Sequence, residues 1–247
     1  MKAFSVIEFI AAHQPVQPSA VCKGLGLTRA NVHRLLATLV HLGYVEKSES
    51  GYQLSFKLFQ LGSTVPVKKQ LRDMAKSKMY DLEKIARENV YLNVLSEDTV
   101  IAIEEVKSSH HVVLNPDVTY TYPVNSCASG KVLLSWLSDE ALNTYLDSIV
   151  FRQKTEHTIV DKQTFIQAVR QAGVNGFAVE LLEFGNHLNS VAAPVYNRSG
   201  EIIATVSISG PSMRLTEERM RELVEPLKQA ARQITDKMIN NTKTGSL

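Results

Sequence analysis

From Thr28 to Leu42 the chain places apolar residues at Val32, Leu35, Leu36 and Leu39, the i, i+3, i+4, i+7 spacing of a helix that buries one stripe. What surrounds this segment narrows the fold sharply. Upstream, a short helix over 3–13 carries Phe4, Ile7 and Ala11 on one face and ends at Gln14-Pro15, because the residue before a proline avoids the helical region. A second short helix, about Ser19 to Lys23, stops at Gly24, and the turn Gly24-Leu25-Gly26-Leu27 leads to Thr28, a good N-cap. Downstream, Gly43 closes the helix, and Tyr44–Lys47 and Tyr52–Leu54 flank the polar loop Ser48–Gly51 as a hairpin. Helix, helix, turn, helix and hairpin within residues 1–62 is the plan of a winged helix-turn-helix domain.

The outward face of the third helix carries the chemistry. Thr28, Arg29, Ala30, Asn31, His33 and Arg34 supply donors, acceptors and a small residue at the helix start, and no carboxylate lies between Thr28 and Gly43. A DNA major groove requires such a set. Lys47 on the hairpin arm is positioned for a phosphate or the minor groove, diluted by Glu46 and Glu49, while His41 and Lys57 receive no role. The net charge of +2 hides an asymmetry: residues 1–64 hold six basic against three acidic side chains, and the remainder holds 21 against 22. The basic surplus sits with the helix that needs it.

After this domain the pattern predicts a linker helix over 63–79, interrupted near Pro66, and a second domain over 80–247. Tyr91–Leu95 and Val100–Val106 read as a hairpin, and Val112-Val113-Leu114 as a further strand. Helices are expected over Ser126–Ser138, from Ser138 to Leu146, and over Asp161–Gln171 with Gly173 as its cap. Strands follow at Phe177–Leu182, Leu188–Tyr196 and Glu201–Ser209, then a last helix over Thr216–Asn240 and a disordered tail. The class is α+β. Two cysteines 105 positions apart exclude a disulfide framework or a thiolate-rich zinc site. With no good signal peptide and no apolar run long enough to cross a bilayer, the expected location is the cytoplasm.

Catalytic constellations are thin. Asn125-Ser126-Cys127-Ala128-Ser129-Gly130-Lys131 is no phosphate loop, because Asn125 stands where the first glycine belongs. Cys127 has no assignable base and reads as a small buried or cavity-lining residue. The start of the helix after it suits an anion, through free amides and the helix dipole. His110-His111 on a strand would face opposite sides, so neither they nor His157 and His187 define a metal site, and no metal or cofactor is expected. Glu180 and Glu183 bracket a strand without a second positioned group. Trp136 is expected to pack on the helix after Lys131.

Four segments in order carry a resemblance: LTRANVHRLLATLVHLGYVEKSESGYQLSFKLFQLG, then YPVNSCASGKVLLSWL, then TEHTIVD, then GFAVELLEFGNHLNSVAAPVYNRSGEIIATVSISGP. Over nearly its whole length the chain resembles the isocitrate lyase regulator (IclR) family of bacterial transcription factors. The resemblance implies a winged helix-turn-helix, a linker helix and a GAF-like or profilin-like effector-binding domain. It also implies homodimers, possibly homotetramers, on pseudo-palindromic double-stranded DNA, with a small organic acid, sugar acid or aromatic acid as effector. Carried over by position, Ala128 and Ser129 would offer amides to a carboxylate, and Tyr122 and Leu188 would form walls. Glu180, Ser190, Ser207 and Ser209 would complete the pocket. The loop Leu182-Glu183-Phe184-Gly185 departs from the family's frequent Glu-Glu before glycine, and Ser126-Cys127 replaces an Ala-Thr-type pair. The expectation is therefore a ligand-responsive DNA-binding regulator, repressor or activator. The rival is an enzyme acting on a small acid at a Cys127/Glu180 pocket.

Overall fold

The computed structural model describes residues 2–64, 69–110 and 121–241. The chain divides into two compact units, 1–67 and 68–247.

The first unit contains α1 (Lys2–His13), α2 (Pro18–Leu25), α3 (Arg29–His41), β1 (Val45–Ser48), β2 (Gly51–Leu54) and α4 (Phe56–Thr64). Its core is Val6, Ile10, Val21, Val32, Leu36, Leu39 and Val45. The face of α1 differs from the sequence expectation: Val6 and Ile10 are buried, whereas Phe4 is 70% exposed and Ala11 lies in solvent. Both sets satisfy helical spacing, and packing of α1 on its neighbours selects one. The second helix runs through Gly24 to Leu25, and Gly26, at φ 61°, is its left-handed cap. In α3 the Thr28 hydroxyl accepts from Asn31 N–H, and the expected stripe is buried apart from half-buried Leu35. Tyr44 N–H donates to Leu39 C=O, and Lys57 Nζ donates to Leu42 C=O at 2.7 Å, placing a cation at the helix C-terminus. Lys57 thereby acquires a structural role.

The wing has a third participant that sequence patterning missed. Val16 exchanges both backbone hydrogen bonds with Tyr52, tying the α1–α2 connection to the hairpin. Gly51 permits it: at φ 136° it is hostile to a side chain, and a Cβ would meet Val16 C=O at 2.7 Å. Helix α4 begins at Phe56, well before the expected start of the linker helix at residue 63, because the Ser55 hydroxyl accepts from Lys57 N–H and starts a helix directly after the wing.

The second unit contains α5 (Lys69–Ala86), β3 (Asn89–Ser96), β4 (Thr99–Val106), β5 (Thr121–Pro123), α6 (Ala128–Leu134), α7 (Asp139–Ser148), α8 (Lys162–Asn175), β6 (Ala178–Leu181), β7 (Leu188–Tyr196), β8 (Ile202–Pro211) and α9 (Glu217–Asn241). One antiparallel sheet, ordered β5-β4-β3-β8-β7-β6, organises it. Helices α5 and α9 pack one face through Leu71, Met79, Leu82, Met220, Leu223 and Leu227. Helices α6, α7 and α8 pack the other through Leu133, Leu134, Leu142, Phe165 and Val169. Strand alternation splits β7 between them: Val191, Ala193 and Val195 face α5 and α9, and Ala192 faces α6 and α8.

Several boundaries move. The helix expected over Ser126–Ser138 is a 3-10 turn (Val124–Ser126) followed by α6, which ends at Leu134. Gly173 lies inside α8, which continues to Asn175 and is capped by left-handed Gly176. Trp136, expected to be packed, is 46% exposed, since it follows the last turn of α6. Strand β5 was not anticipated. Val112-Val113-Leu114 and His111 lie outside the described residues, as does the tail beyond Asn241.

Candidate functional site

The sheet register creates a polar row. Asn89 on β3 pairs with Ser209 on β8, Ser209 with Ser190 on β7, and Ser190 with Glu180 on β6. One step along, Tyr91 pairs with Ser207. Alternation sends Val90, Leu92, Val206, Ile208, Val179 and Leu181 to the α5/α9 core, so Tyr91, Ser207, Ser209 and Glu180 share the opposite face. Over this face lies a cavity of about 30 Å³, lined by Tyr91, Asn93, Tyr122, Cys127, Ser129, Glu180, Phe184, Leu188, Ser190, Ser207 and Ser209. Tyr122, Ser129, Glu180, Leu188, Ser190, Ser207 and Ser209 are thus brought together. Ala128 is fully buried and is not in the lining. Tyr91, Asn93, Cys127 and Phe184 complete the wall; β-alternation across an aligned register would have found the first two.

The cavity is tightly held. Asn93 Nδ2 donates to Ser129 Oγ at 3.1 Å and Ser207 Oγ at 2.9 Å, joining α6 to the sheet. Gly130 lets α6 approach: a Cβ there would meet Val124 C=O at 2.0 Å. Tyr122 and Phe184 meet edge to face, their centroids 4.9 Å apart. At this size the cavity admits one or two waters.

Glu180 is the electrostatic centre. Its Oε1 accepts from Glu183 N–H at 2.7 Å and Phe184 N–H at 3.1 Å, and its Oε2 accepts from Ser190 Oγ at 2.9 Å. Leu182, held left-handed at φ 60°, turns the chain so that both amides converge, at a cost of order 1 kcal/mol. Burial nevertheless dominates the three donors and pushes the Glu180 carboxyl up to about 7. Glu183 points elsewhere, into a buried pair with Lys131, whose Nζ also donates to Val179 C=O at 2.9 Å. Burial also pushes the Cys127 thiol up to about 12, the opposite of an activated nucleophile. Among the described residues no three His, Cys, Asp or Glu side chains converge as metal ligands.

In the first unit Thr28, Arg29, Ala30, His33 and Arg34 lie exposed on one side of α3, with Asn31 half-buried. Arg34 Nη2 donates to Asn31 Oδ1 at 3.3 Å, which orients both. Lys47 is exposed on β1, opposite Tyr52.

A winged helix-turn-helix with a carboxylate-free exposed helix face, joined in one chain to a helix-covered sheet with a small cavity lined by hydroxyls and a carboxyl, is the build of a ligand-responsive DNA-binding transcriptional regulator. The chain belongs to the IclR family: the family's C-terminal bacterial-regulator domain matches residues 63–236 and its helix-turn-helix domain residues 1–49. It is 29% identical over 240 residues to the transcriptional regulator KdgR of Escherichia coli, covering 96% of this chain and 91% of that one. Among solved structures it is similar to the IclR protein of Thermotoga maritima, with TM-score 0.73, 26% identity, and 96% and 97% of the two chains covered. The fold also matches an IclR homologue from Microbacterium hydrocarbonoxydans complexed with 4-hydroxybenzoate, with TM-score 0.78, 22% identity, and 96% and 97% covered. Among the described residues no helix is long and apolar enough to cross a membrane.

Proposed function

We propose that the cavity over the sheet is the effector pocket and takes a small hydroxylated carboxylic acid, such as a hydroxy or sugar acid. The observation that carries this is the register-built row Glu180–Ser190–Ser209, with Ser207 beside it and the start of α6 above. Hydroxyls and the Glu180 carboxyl suit ligand hydroxyls, and Ser129, at the start of α6, suits a carboxylate. The relative bound to 4-hydroxybenzoate is in keeping with an acid effector. A thermal-shift panel of gluconate, galacturonate, pyruvate and 4-hydroxybenzoate tests it. A true effector at 100 times its Kd adds about 2.7 kcal/mol of stability. A panel of hydroxy and sugar acids without a single stabiliser would sink the reading. So would equal operator affinity with and without a stabilising acid, since effector control requires a coupling free energy.

DNA is read by Thr28, Arg29, Ala30, Asn31, His33 and Arg34 in the major groove, with Lys47 on phosphate. The exposed ring pair Phe56 and Phe59 on α4, 68% and 67% exposed, supports a homodimer through this region and hence a pseudo-palindromic operator. The linker over 63–79 takes in the end of α4 and the first part of α5, and the cellular site is the cytoplasm. Arg34→Ala is expected to weaken operator binding by about tenfold or more and to reduce the salt slope by about one ion. Unchanged affinity and slope in a salt titration would remove Arg34 from the interface. The reading as a regulator and not an enzyme is supported by the Cys127 thiol, which burial pushes up to about 12, and by Glu180, which three donors engage.

A further inference from the structure

The serines that line the cavity over the sheet fall into two pairs. Ser190 Oγ donates to Glu180 Oε2 at 2.9 Å, and Ser209 Oγ donates to Asn189 C=O at 3.5 Å, so both hydrogens are held within the protein. Ser129 and Ser207 differ. Each accepts one N–H from the side-chain amide of Asn93, at 3.1 and 2.9 Å, and among the described residues neither O–H has an acceptor. The two serines are 4% and 6% exposed, so bulk water serves them poorly, and both border the same cavity. Buried donors without acceptors are unfavourable, and a guest that accepts from them relieves both.

Asn93 decides which way these hydroxyls point. Its amide nitrogen carries two hydrogens, and one goes to each serine oxygen. A hydroxyl that receives a hydrogen from one side turns its own away from that donor. Ser129 and Ser207 therefore face the cavity as a pair of O–H donors. An irregularity in the sheet brings Asn93 to this place. Along β3 the register with β4 shifts between Leu92 and Asn93, passing from Glu104 to Ala102 and leaving Ile103 without a partner. Such bulges re-aim side chains beside functional sites. On its other side Asn93 pairs with Thr205 of β8, and its side chain is buried.

We propose that Asn93 is a positioning residue that sets the specificity of the effector pocket. By fixing Ser129 and Ser207 as twin donors, it makes this end of the pocket a seat for the two oxygens of a carboxylate and discriminates against a carboxamide. This rests on the reading of the cavity as the effector pocket. A carboxylate only accepts, so it satisfies both hydroxyls at once. A carboxamide offers one oxygen and sets its own N–H hydrogens against the second O–H.

The probes are gluconate, galacturonate, pyruvate and 4-hydroxybenzoate, each beside its amide, titrated into the full chain by isothermal calorimetry. At least one acid should bind the wild type about tenfold or more tightly than its amide. Asn93→Asp, nearly the same in shape, accepts from both hydroxyls and donates to neither, which turns their lone pairs to the cavity. It should weaken that acid by about a hundredfold and reduce or invert the preference for acid over amide. Asn93→Leu, which adds no charge, leaves the hydroxyls free to turn either way and should bring the preference close to unity. It decides the matter if Asn93→Asp fails to fold. A purely structural asparagine would alter Tm in these variants while the acid-to-amide ratio stayed at its wild-type value. That result, or an acid that binds the wild type no better than its amide, overturns the proposal and leaves the effector pocket standing. If no acid binds the wild type, the effector reading falls first and the role of Asn93 with it.

Discussion

Lys131→Met is expected to destabilise the second unit by about 3–5 kcal/mol, read as the loss of urea midpoint at constant slope. The lysine and its partner Glu183 are 5% and 7% exposed, so neither charge is compensated by water. Removing the ammonium leaves a buried carboxylate alone and strips Val179 C=O of its donor. Burial already pushes the Glu183 carboxyl up, and Lys131 opposes that rise. In the single variant Glu183 is therefore forced toward its protonated form. The double variant Lys131→Met/Glu183→Leu should recover most of the loss, since an apolar pair of similar volume pays no desolvation. A single-variant loss below about 1 kcal/mol would show that Glu183 finds water or another donor at no cost.

The second large effect is a pH dependence. The Glu180 carboxyl, ordinarily near 4.5, is raised to about 7 in the folded chain. The folded state thus holds a proton that the unfolded state has released. Stability contributed by that proton is full below about pH 4.5 and falls as pH rises to about 7, by about 3 kcal/mol in all. Glu180→Gln mimics the protonated acid and keeps a carbonyl for the Glu183 and Phe184 amides. Variant and wild type should match near pH 4.5 and separate by up to about 3 kcal/mol by pH 8, the variant being the more stable. Urea unfolding at several pH values measures this. Parallel stability profiles would mean that the three donors, and not burial, set the state of Glu180.

Local chemistry made much of this legible before any coordinates. Thr28 caps α3 because a hydroxyl three residues before Asn31 N–H can reach it, whatever the rest of the chain does. The wing follows from a polar loop between two short strand-like runs. Elsewhere local signals were degenerate. Phe4, Ile7 and Ala11 satisfied the spacing of a buried face as well as Val6 and Ile10 did, and only contact with α2 and α3 separated them. Gly173 looked like a stop, but helix-ending glycine needs the left-handed conformation, which Gly176 adopts. The start of α4 at Phe56 was missed because Ser55 is a modest cap in an aromatic stretch.

The pocket divides in the same way. The family-like segments nominated Tyr122, Ala128, Ser129, Glu180, Leu188, Ser190, Ser207 and Ser209; all but Ala128, which is buried outside the lining, border one cavity. Tyr91 and Asn93 were absent from that set because their membership depends on which strand β3 pairs with and in what register, a contact more than a hundred positions away. The pairing of Lys131 with Glu183, 52 positions apart, was equally invisible. By itself the sequence determined the reading helix, its cap and its charge, since each follows from neighbours within a turn or two. Only the tertiary structure decided which faces meet, which carboxylate is paired and which is left to hold a proton. Those outcomes rest on burial and long-range register, and burial has no value until the chain has closed over itself.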